Sequence, residues 1–300
     1  MAMPTDIGVI DTMMGTTAGT TGENRYAFLD RALKDAESFK MKFPAEYMFK
    51  DVPFSDHARD ADGNLEEPPQ GSELLLPFMD RCGVEIAMVG VRKDLSGHGV
   101  QCVTDHPDRF VPCFEPDPNE GVEALRQIRR LHDEIGLRAV TAFPSGRSPQ
   151  VPIDAPLMYP IYALCCELDI PIFCCAGIPG PRVPFAAQHV ERIDQVMYDF
   201  PELVFVTRHG CEPWQDLAVK LMLKWPGLHY STSAFAPKHY PKAIVDYANS
   251  RGADKIIYAG YFPMGLSLDR IFQQLADVPF KDEVWPKFLR DNARRVLGLD

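Results

Sequence analysis

The sequence predicts a distorted (β/α)8 TIM barrel, and two observations lead to this fold. Eight short runs are rich in Val and Ile and apolar on both faces, which is typical of parallel strands covered by helices. Helical patterns fit between these runs, and a length of 300 residues suits a barrel, which takes roughly 250. We therefore predict a single barrel domain over residues 1–300. The predicted strands are 7–13, 85–91, 110–115, 137–143, 171–176, 203–209, 228–233 and 255–261.

A doubly wound open sheet is the competing fold. Such a sheet usually carries a glycine-rich phosphate loop after its first strand. Here the first predicted strand runs into Asp-Thr-Met-Met-Gly at 11–15, which lacks that pattern. The barrel is therefore the favoured interpretation.

Amphipathic helices are predicted between the strands. The stretch 121–135 places Val122, Leu125, Ile128 and Leu131 at steps of three, with charged residues elsewhere. Glycine or proline follows many of the helical stretches, as expected where a helix ends. Further helices are predicted at 159–168, 191–198, 214–223, 242–250, 268–276 and 281–297.

One long segment, 16–71, interrupts the alternation of strand and helix. It is too long for an ordinary loop between a barrel strand and its helix. Such insertions lie over the C-terminal face of a barrel, where active sites are found, so we interpret it as a lid or a dimer contact. Its aromatic side chains either line an apolar pocket or pack the lid onto the barrel: Phe43, Tyr47, Phe49 and Phe54.

Charge and composition restrict the expected partners. The chain has 42 Asp and Glu against 31 Lys and Arg, and this net charge of -11 argues against nucleic acid or an anionic membrane as the main partner. We see no basic stretch followed by an apolar run near residue 1, and no apolar run of membrane-spanning length. Without a secretory signal, the eight cysteines are expected to be reduced. We expect a cytoplasmic protein whose partner is a small molecule.

Four segments share residues with one family of barrels. They are Val-Ile-Asp at 9–11, Arg-His-Gly-Cys-Glu-Pro-Trp at 208–214, Tyr-Ala-Gly-Tyr-Phe-Pro-Met at 258–264 and Phe-Leu-Arg-Asp-Asn-Ala-Arg-Arg-Val-Leu-Gly at 288–298. On these segments the chain resembles the amidohydrolase-related TIM barrels of the aminocarboxymuconate-semialdehyde decarboxylase type. The likeness covers nearly the whole chain, and it implies a homodimer, because relatives in this family often form dimers.

The resemblance implies a divalent metal bound by a His-x-His pair on strand one, a histidine on strand five and an aspartate on strand eight. In this chain those positions are occupied by Met13, Gly15, Cys175 and Tyr261. Catalytic zinc takes at least three protein ligands, whereas glycine offers no side chain and a thioether suits copper(I). We therefore predict neither a catalytic metal nor another cofactor. A soft site made by Met13, Cys175 and His209 stays open as an alternative.

The base that the resemblance implies on strand six is intact as His209. An imidazole titrates near neutral pH, so it can serve as a general base or acid. Tyr261 can donate a hydrogen bond to a developing oxyanion, in partial replacement of the lost Lewis acid. Cys175 is a candidate nucleophile if it lies within hydrogen-bond reach of His209, and Asp11 is a candidate for orienting a partner from the first strand.

Charged residues near the predicted strand ends are candidates for binding a substrate. Arg92 and Lys93 follow strand two and are placed to hold a carboxylate. Arg208 has the same chemistry, but as the neighbour of His209 on a strand it should point to the opposite face. Glu212 either tethers the imidazole or pairs with Arg208. Apolar side chains that we expect near the substrate are Met13, Tyr47, Phe143, Phe173 and Phe262.

Several of these residues also have a structural interpretation. Cysteines such as Cys174 and Cys175 are more often small buried hydrophobes. Tyr261 alternatively fills the space that a metal would occupy. The charged residues alternatively form an ion-pair network: Arg92, Arg208 and Glu212.

The residues together predict a metal-independent enzyme. We expect it to cleave a C–C or C–heteroatom bond, as a lyase, decarboxylase or hydrolase, by acid–base catalysis. The expected substrate is a small, mostly apolar organic acid, ketone or lactone. Two alternatives stay open, namely a non-catalytic relative that binds a ligand and a metal-dependent hydrolase with an atypical site.

Overall fold

Eight parallel strands form one sheet that rolls into a barrel. A computed structural model of the chain describes residues 3–17, 69–264 and 266–299. The strands follow one another in sequence order, and every neighbouring pair is parallel, which confirms the predicted (β/α)8 TIM barrel. They are β1 (Val9–Met14), β2 (Val84–Gly90), β3 (Phe110–Phe114), β4 (Ala139–Ala142), β5 (Ile172–Cys175), β6 (Phe205–Arg208), β7 (Leu228–Ser231) and β8 (Ile256–Ile257).

Backbone hydrogen bonds between β1 and the segment around β8 close the barrel. The Thr12 N–H donates to the Tyr258 carbonyl over 3.3 Å, and the Tyr261 N–H donates to the Met13 carbonyl over 3.0 Å. As a regular strand β8 is short, yet the residues after it remain paired with β1. Tyr261 is therefore held at the end of the barrel by its backbone.

Helices alternate with the strands along the chain. In α3, Val122–Ile135, the side chains of Ala124, Ile128 and Leu131 are buried, whereas Val122 is 63% exposed. The buried face thus begins at Ala124 and not at Val122. The helices are α1 (Gly71–Cys82), α2 (His98–Asp105), α3 (Val122–Ile135), α4 (Tyr159–Glu167), α5 (Arg192–Asp199), α6 (Gln215–Lys224), α7 (Lys242–Ala248), α8 (Leu268–Leu275) and α9 (Asn292–Val296).

The predicted final helix is continuous but consists of different kinds of turn. A 3-10 turn spans Asp282–Val284, a π-helical turn spans Lys287–Asp291, and α9 follows. Trp285 and Pro286 keep helical backbone angles between the first two turns, so the chain stays helical through the proline. The Asn292 amide donates to the carbonyls of Ala253 and Ile256 over 2.8 and 2.9 Å, so this segment is fixed to the start of β8.

Two apolar layers fill the molecule, one inside the barrel and one between the strands and the helices. The inner layer also receives side chains from α9, which therefore covers the amino-terminal end of the barrel. The polar side chains of His209, Ser233 and Tyr261 follow the carboxyl ends of the strands, at the opposite end of the barrel. The inner strand residues are Ile10, Met88, Val111, Cys113, Ala139, Phe173, Val206 and Ile257.

The predicted lid, 16–71, lies mostly outside the described residues, and Tyr47 and its other aromatic residues are among those not described. At its two ends the Gly71 N–H donates to the Thr16 carbonyl over 2.7 Å, so the segment leaves and rejoins the barrel at neighbouring points. Among the helices of the described residues, none is both long and apolar enough to cross a membrane.

Candidate active site

Two residues at the carboxyl ends of β6 and β8 share an unusual backbone conformation. His209 has a φ of 63° and Tyr261 a φ of 65°, values that residues other than glycine rarely adopt. Their rings meet edge to face, with centroids 5.2 Å apart and planes at 77°. Strained backbone of this kind persists where its surroundings fix it, and it is frequent at functional sites. The structure thus brings together two of the predicted catalytic residues.

Ser233, just after β7, fixes the imidazole of His209. Its Oγ accepts the His209 backbone N–H over 3.2 Å and lies 3.1 Å from the ring Nδ1. The Oγ of Ser231 lies 3.5 Å further along. Ser233 Oγ can accept a hydrogen bond from Nδ1–H while its hydroxyl donates to Ser231, or it can donate to an unprotonated Nδ1. In the first arrangement Nε2 has a lone pair and can act as a base, whereas in the second Nε2 carries the proton.

Ser233 was not predicted from the sequence as a site residue. The signal was the polar run Ser-Thr-Ser at 231–233, which ends a predicted strand at the same edge of the barrel as His209. Hydroxyl groups at a strand end are common and carry no sign of their partner. Only the tertiary structure shows that this serine contacts the imidazole.

The environment of His209 sets its protonation state. Burial first, and then the charge of Arg208, lower the pKa of His209 to about 3. At neutral pH the ring is therefore uncharged, with one nitrogen lone pair ready to accept a proton. The ring can accept a proton, but with this pKa it is a weaker base than the sequence predicts, and a bound anion would raise the pKa toward neutrality.

Arg208 points into the barrel, so the prediction that it faces away was wrong. Its guanidinium carbon lies 5.8 Å from the ring centroid of Phe173, which belongs to the inner apolar layer. Val206, two residues earlier, belongs to the same layer, as strand alternation requires. The prediction assumed that alternation continues to His209, but the positive φ of His209 ends it.

Cys175 at the end of β5 has the properties of a packing residue. It is 5% exposed, and burial raises the pKa of its thiol to about 12. No hydrogen bond joins it to His209 among the contacts of the described residues, although such a bond is what an activated thiolate needs. Cys174 is also buried, and its Sγ donates to the Cys175 carbonyl over 3.6 Å.

Asp11 is sealed between β1 and the segment after β8. It is 0% exposed, and its Oδ1 accepts the backbone N–H groups of Met13 and Gly260, each over 2.9 Å. Burial raises the pKa of Asp11 to about 7, against the lowering effect of these two hydrogen bonds. The carboxyl group thus joins two strands of the barrel and has no exposed surface for a substrate.

Gly260 is required by the packing around Asp11. A Cβ at this position would lie 2.5 Å from Asp11 Oδ2 and 2.7 Å from the Tyr258 hydroxyl. Within the described residues neither of these two oxygens has a hydrogen-bond partner. Two buried polar atoms therefore face the same glycine, and each one lowers the stability of the fold because its hydrogen bond is not made.

The two cations predicted after strand two are engaged by their own neighbours. Arg92 pairs with Asp94 over 3.1 Å, with 70% of its side chain exposed. Lys93 pairs with Glu120 over 2.9 Å, with 55% of its side chain exposed. Both charges are paired with carboxylates at the protein surface. No contact among the described residues joins either side chain to His209 or Tyr261.

The described contacts of Glu212 and Phe143 are with the protein backbone and not with the His209–Tyr261 pair. The Glu212 carbonyl accepts the Ile178 N–H over 2.8 Å. In the part of the chain that the structure describes, the Glu212 carboxylate makes neither a hydrogen bond nor an ion pair with His209 or Arg208. Phe143 packs on the backbone of Gly146, where a Cβ would lie 2.4 Å from the phenylalanine Cδ1.

The positions implied to bind a metal do not form a donor set for a divalent ion. They offer a thioether at Met13, no side chain at Gly15, a high-pKa thiol at Cys175 and a phenol at Tyr261. Across residues 3–17, 69–264 and 266–299, no group of three or more His, Cys, Asp or Glu side chains could hold a metal ion. A divalent metal does not fit these residues.

These features define a TIM-barrel protein whose polar residues meet at the carboxyl ends of the strands, where enzymes of this fold have their active sites. A family model described as amidohydrolase matches residues 99–299. The chain therefore belongs to the amidohydrolase family, and the predicted resemblance is confirmed. No curated protein sequence matches the chain.

Solved structures show the same fold. An uncharacterized TIM-barrel protein from Bordetella bronchiseptica is 22% identical, with a TM-score of 0.73 over 97% of this chain and 98% of that chain. A 5-carboxyvanillate decarboxylase from Novosphingobium aromaticivorans, complexed with manganese and 4-hydroxy-3-methoxy-5-nitrobenzoic acid, is 15% identical, with a TM-score of 0.66 over 98% and 97%. A 4-oxalomesaconate hydratase from Rhodopseudomonas palustris is 15% identical, with a TM-score of 0.61 over 97% and 95%.

Proposed function

We propose that this amidohydrolase-family chain is a metal-independent enzyme that uses His209 in acid–base catalysis. It cleaves a C–C or C–heteroatom bond in a small, mostly apolar organic acid, ketone or lactone. The observation that carries the proposal is the assembly of His209, Tyr261 and Ser233 at the carboxyl ends of three different strands. Two structural neighbours are a decarboxylase and a hydratase, which supports a lyase-type reaction.

His209 supplies both proton transfers in this reaction. The neutral imidazole accepts a proton from a substrate hydroxyl, and the adjacent C–C bond breaks as that oxygen becomes a carbonyl. The bonding electron pair moves toward a neighbouring carbonyl and makes an enolate oxygen. The imidazolium then returns the proton to the carbon that was released, so that His209 is neutral again.

In the proposed reaction, Tyr261 stabilises the negative charge that develops on the substrate. Its ring contacts His209, so a substrate that reaches the imidazole also comes close to the phenol. A hydroxyl that donates to the enolate oxygen supplies part of the stabilisation that a metal provides in other members of the fold. Ser233 holds the imidazole in position and does not touch the substrate in this scheme.

The donor set supports the metal-independent part of the proposal. Met13, Gly15, Cys175 and Tyr261 stand where the family resemblance implies metal ligands, and they do not form a set that suits a divalent ion. His209 is instead hydrogen-bonded to a serine hydroxyl. Its function as a base does not require the missing ligands.

The test compares the wild type with His209→Asn on a panel of acids, ring ketones and lactones that includes 5-carboxyvanillate and 4-oxalomesaconate. Asparagine can still bond to Ser233 but cannot accept the proton. We expect kcat to fall by about 10²–10⁴-fold, the usual contribution of a general base, with KM changed only a few-fold. His98→Asn, at an exposed histidine on α2, is the matched control and should keep full turnover.

Metal content is measured on the same preparations. We expect turnover to survive dialysis against EDTA and elemental analysis to find no stoichiometric metal. Stoichiometric zinc, iron or manganese that is lost together with turnover would establish the metal-dependent alternative. A wild type that binds panel compounds without turning any of them over, and binds them equally well as His209→Asn, would establish the ligand-binding alternative.

A further inference from the structure

Arg208 is a buried cation that has no anionic partner among the described residues. The residue is 6% exposed, and its Nε has no hydrogen-bond partner among the described residues. Its guanidinium lies against the ring of Phe173 inside the barrel. Its charge lowers the pKa of the nearby thiols of Cys113 and Cys175, against the stronger effect of burial.

Glu115, an acidic residue near Arg208, already forms an ion pair with another arginine. Glu115 follows β3 and acts on the same two thiols as Arg208 does. Its carboxylate is paired with Arg147. None of the ion pairs within the described ranges includes Arg208, so its charge is not compensated by a described carboxylate.

An uncompensated buried charge is costly, and arginine cannot avoid the cost by losing its proton. The compensating anion must therefore come from outside the described residues. A guanidinium presents its donors in a planar fork that matches a carboxylate with two parallel hydrogen bonds. Beside the guanidinium lie the buried ring of Phe173 and the thiols of Cys113 and Cys175, whose raised pKa values leave them uncharged at neutral pH, so these neighbours supply no negative charge.

We propose that Arg208 binds the carboxylate of the substrate, an aromatic or alicyclic acid, at the carboxyl end of β6. This inference rests on the proposed function, because the adjacent His209 then performs the chemistry on the same molecule. The carboxylate on Arg208 is not the group that is lost. A guanidinium stabilises the charged ground state, and decarboxylation removes that charge, so such binding would slow the loss of this group.

The test uses benzoate as the probe and isothermal titration calorimetry as the measurement. Arg208→Met keeps a long side chain but removes the charge, so we expect benzoate to bind at least tenfold more weakly than to the wild type. Arg92→Met is the matched control, because Arg92 is an exposed arginine that is paired with Asp94. We expect its affinity to stay within twofold of the wild type. Benzyl alcohol, which lacks the charge, should not distinguish Arg208→Met from the wild type.

Thermal unfolding separates binding from a structural role. Without benzoate, Arg208→Met should melt at a higher temperature than the wild type, because a buried uncompensated charge has been removed. Benzoate should raise the melting temperature of the wild type and of Arg92→Met, but not that of Arg208→Met. Arg208→Lys keeps the charge without the planar fork, so it should bind benzoate with intermediate affinity and serves if the methionine variant does not fold.

Two results would overturn the inference. One is equal benzoate affinity in the wild type and in the Arg208 variants. The other is the absence of any benzoate binding to the wild type at millimolar concentration. Failure of the proposed function has a different signature, because turnover that persists in His209→Asn contradicts acid–base catalysis and leaves the benzoate result unchanged.

Discussion

Two pairs of strand ends in the barrel differ in the side chains that they carry. At β6 and β8, His209 and Tyr261 have positive φ angles and their rings are in contact. The neighbouring strands β5 and β1 end in Cys175, whose thiol has a pKa raised to about 12 by burial, and in Met13. The first pair thus combines strained backbone with hydrogen-bonding side chains, whereas the second pair has side chains suited to packing. Groups that can transfer a proton are therefore assembled at strand ends whose neighbours do not form a set of metal donors.

Tyr261→Phe is expected to have the largest effect among the changes that test this comparison. Phenylalanine keeps the ring against His209 but removes the hydroxyl that stabilises the oxyanion. We expect kcat to fall by about 10²–10³-fold, with KM nearly unchanged. Steady-state kinetics on the best substrate of the panel measures both values. A kcat within twofold of the wild type would assign Tyr261 a packing role and remove the main difference between the two pairs of strand ends.

Asp11→Asn tests the β1 side through stability. The pKa of Asp11 is raised from 3.8 to about 7 in the folded state, so its protonated form favours folding below pH 3.8. That contribution is lost as the pH rises from 3.8 to 7, because the unfolded chain releases the proton first. Asparagine keeps the Oδ1 acceptor for Gly260 and Met13 and does not titrate. We expect the variant to be more stable than the wild type at pH 8, on the order of 2 kcal/mol.

Urea unfolding at pH 5 and pH 8 measures this difference. The gain from Asp11→Asn should be larger at pH 8 than at pH 5, while kcat stays within a few-fold of the wild type. A variant that is less stable than the wild type at both pH values would show that the carboxylate itself stabilises the junction of β1 and β8. A large loss of kcat without a change in stability would return Asp11 to a catalytic role.

Cys175→Ala should have the smallest effect on activity. A buried thiol with a pKa near 12 is not a thiolate at neutral pH, so its removal should leave kcat within about twofold. The small cavity should lower the free energy of unfolding by roughly 1 kcal/mol. Kinetics and urea unfolding on the same preparation test both statements. Abolished turnover in a folded variant would make Cys175 a nucleophile and give the β5 side a chemical function.

Much of the fold could be predicted from the sequence, because alternating apolar runs and amphipathic stretches are local properties of the chain. All eight strands lie within or close to their predicted ranges. The final helix was predicted in the correct region, but its mixture of 3-10, π and α turns was not. The predicted resemblance to amidohydrolases also follows from local sequence, and the family match confirms it.

The direction of individual side chains at the strand ends could not be predicted in the same way. Strand alternation places Arg208 and His209 on opposite faces only while the backbone stays extended. The positive φ of His209 ends that condition, and Arg208 lies inside the barrel against Phe173. The contact of Ser233 with His209 joins two strands that are consecutive in the barrel but 24 residues apart in the chain.

Three features could be read from the residues alone, namely the barrel, the family and the replacement of the implied metal ligands by Met13, Gly15, Cys175 and Tyr261. These features depend on residue types and their spacing. The tertiary structure alone decided that His209 meets Tyr261, that Asp11 is sealed between two strands and that Arg208 is buried without a described carboxylate. Protonation and charge compensation depend on burial and on neighbours from distant parts of the chain, and only closure of the barrel brings those neighbours together.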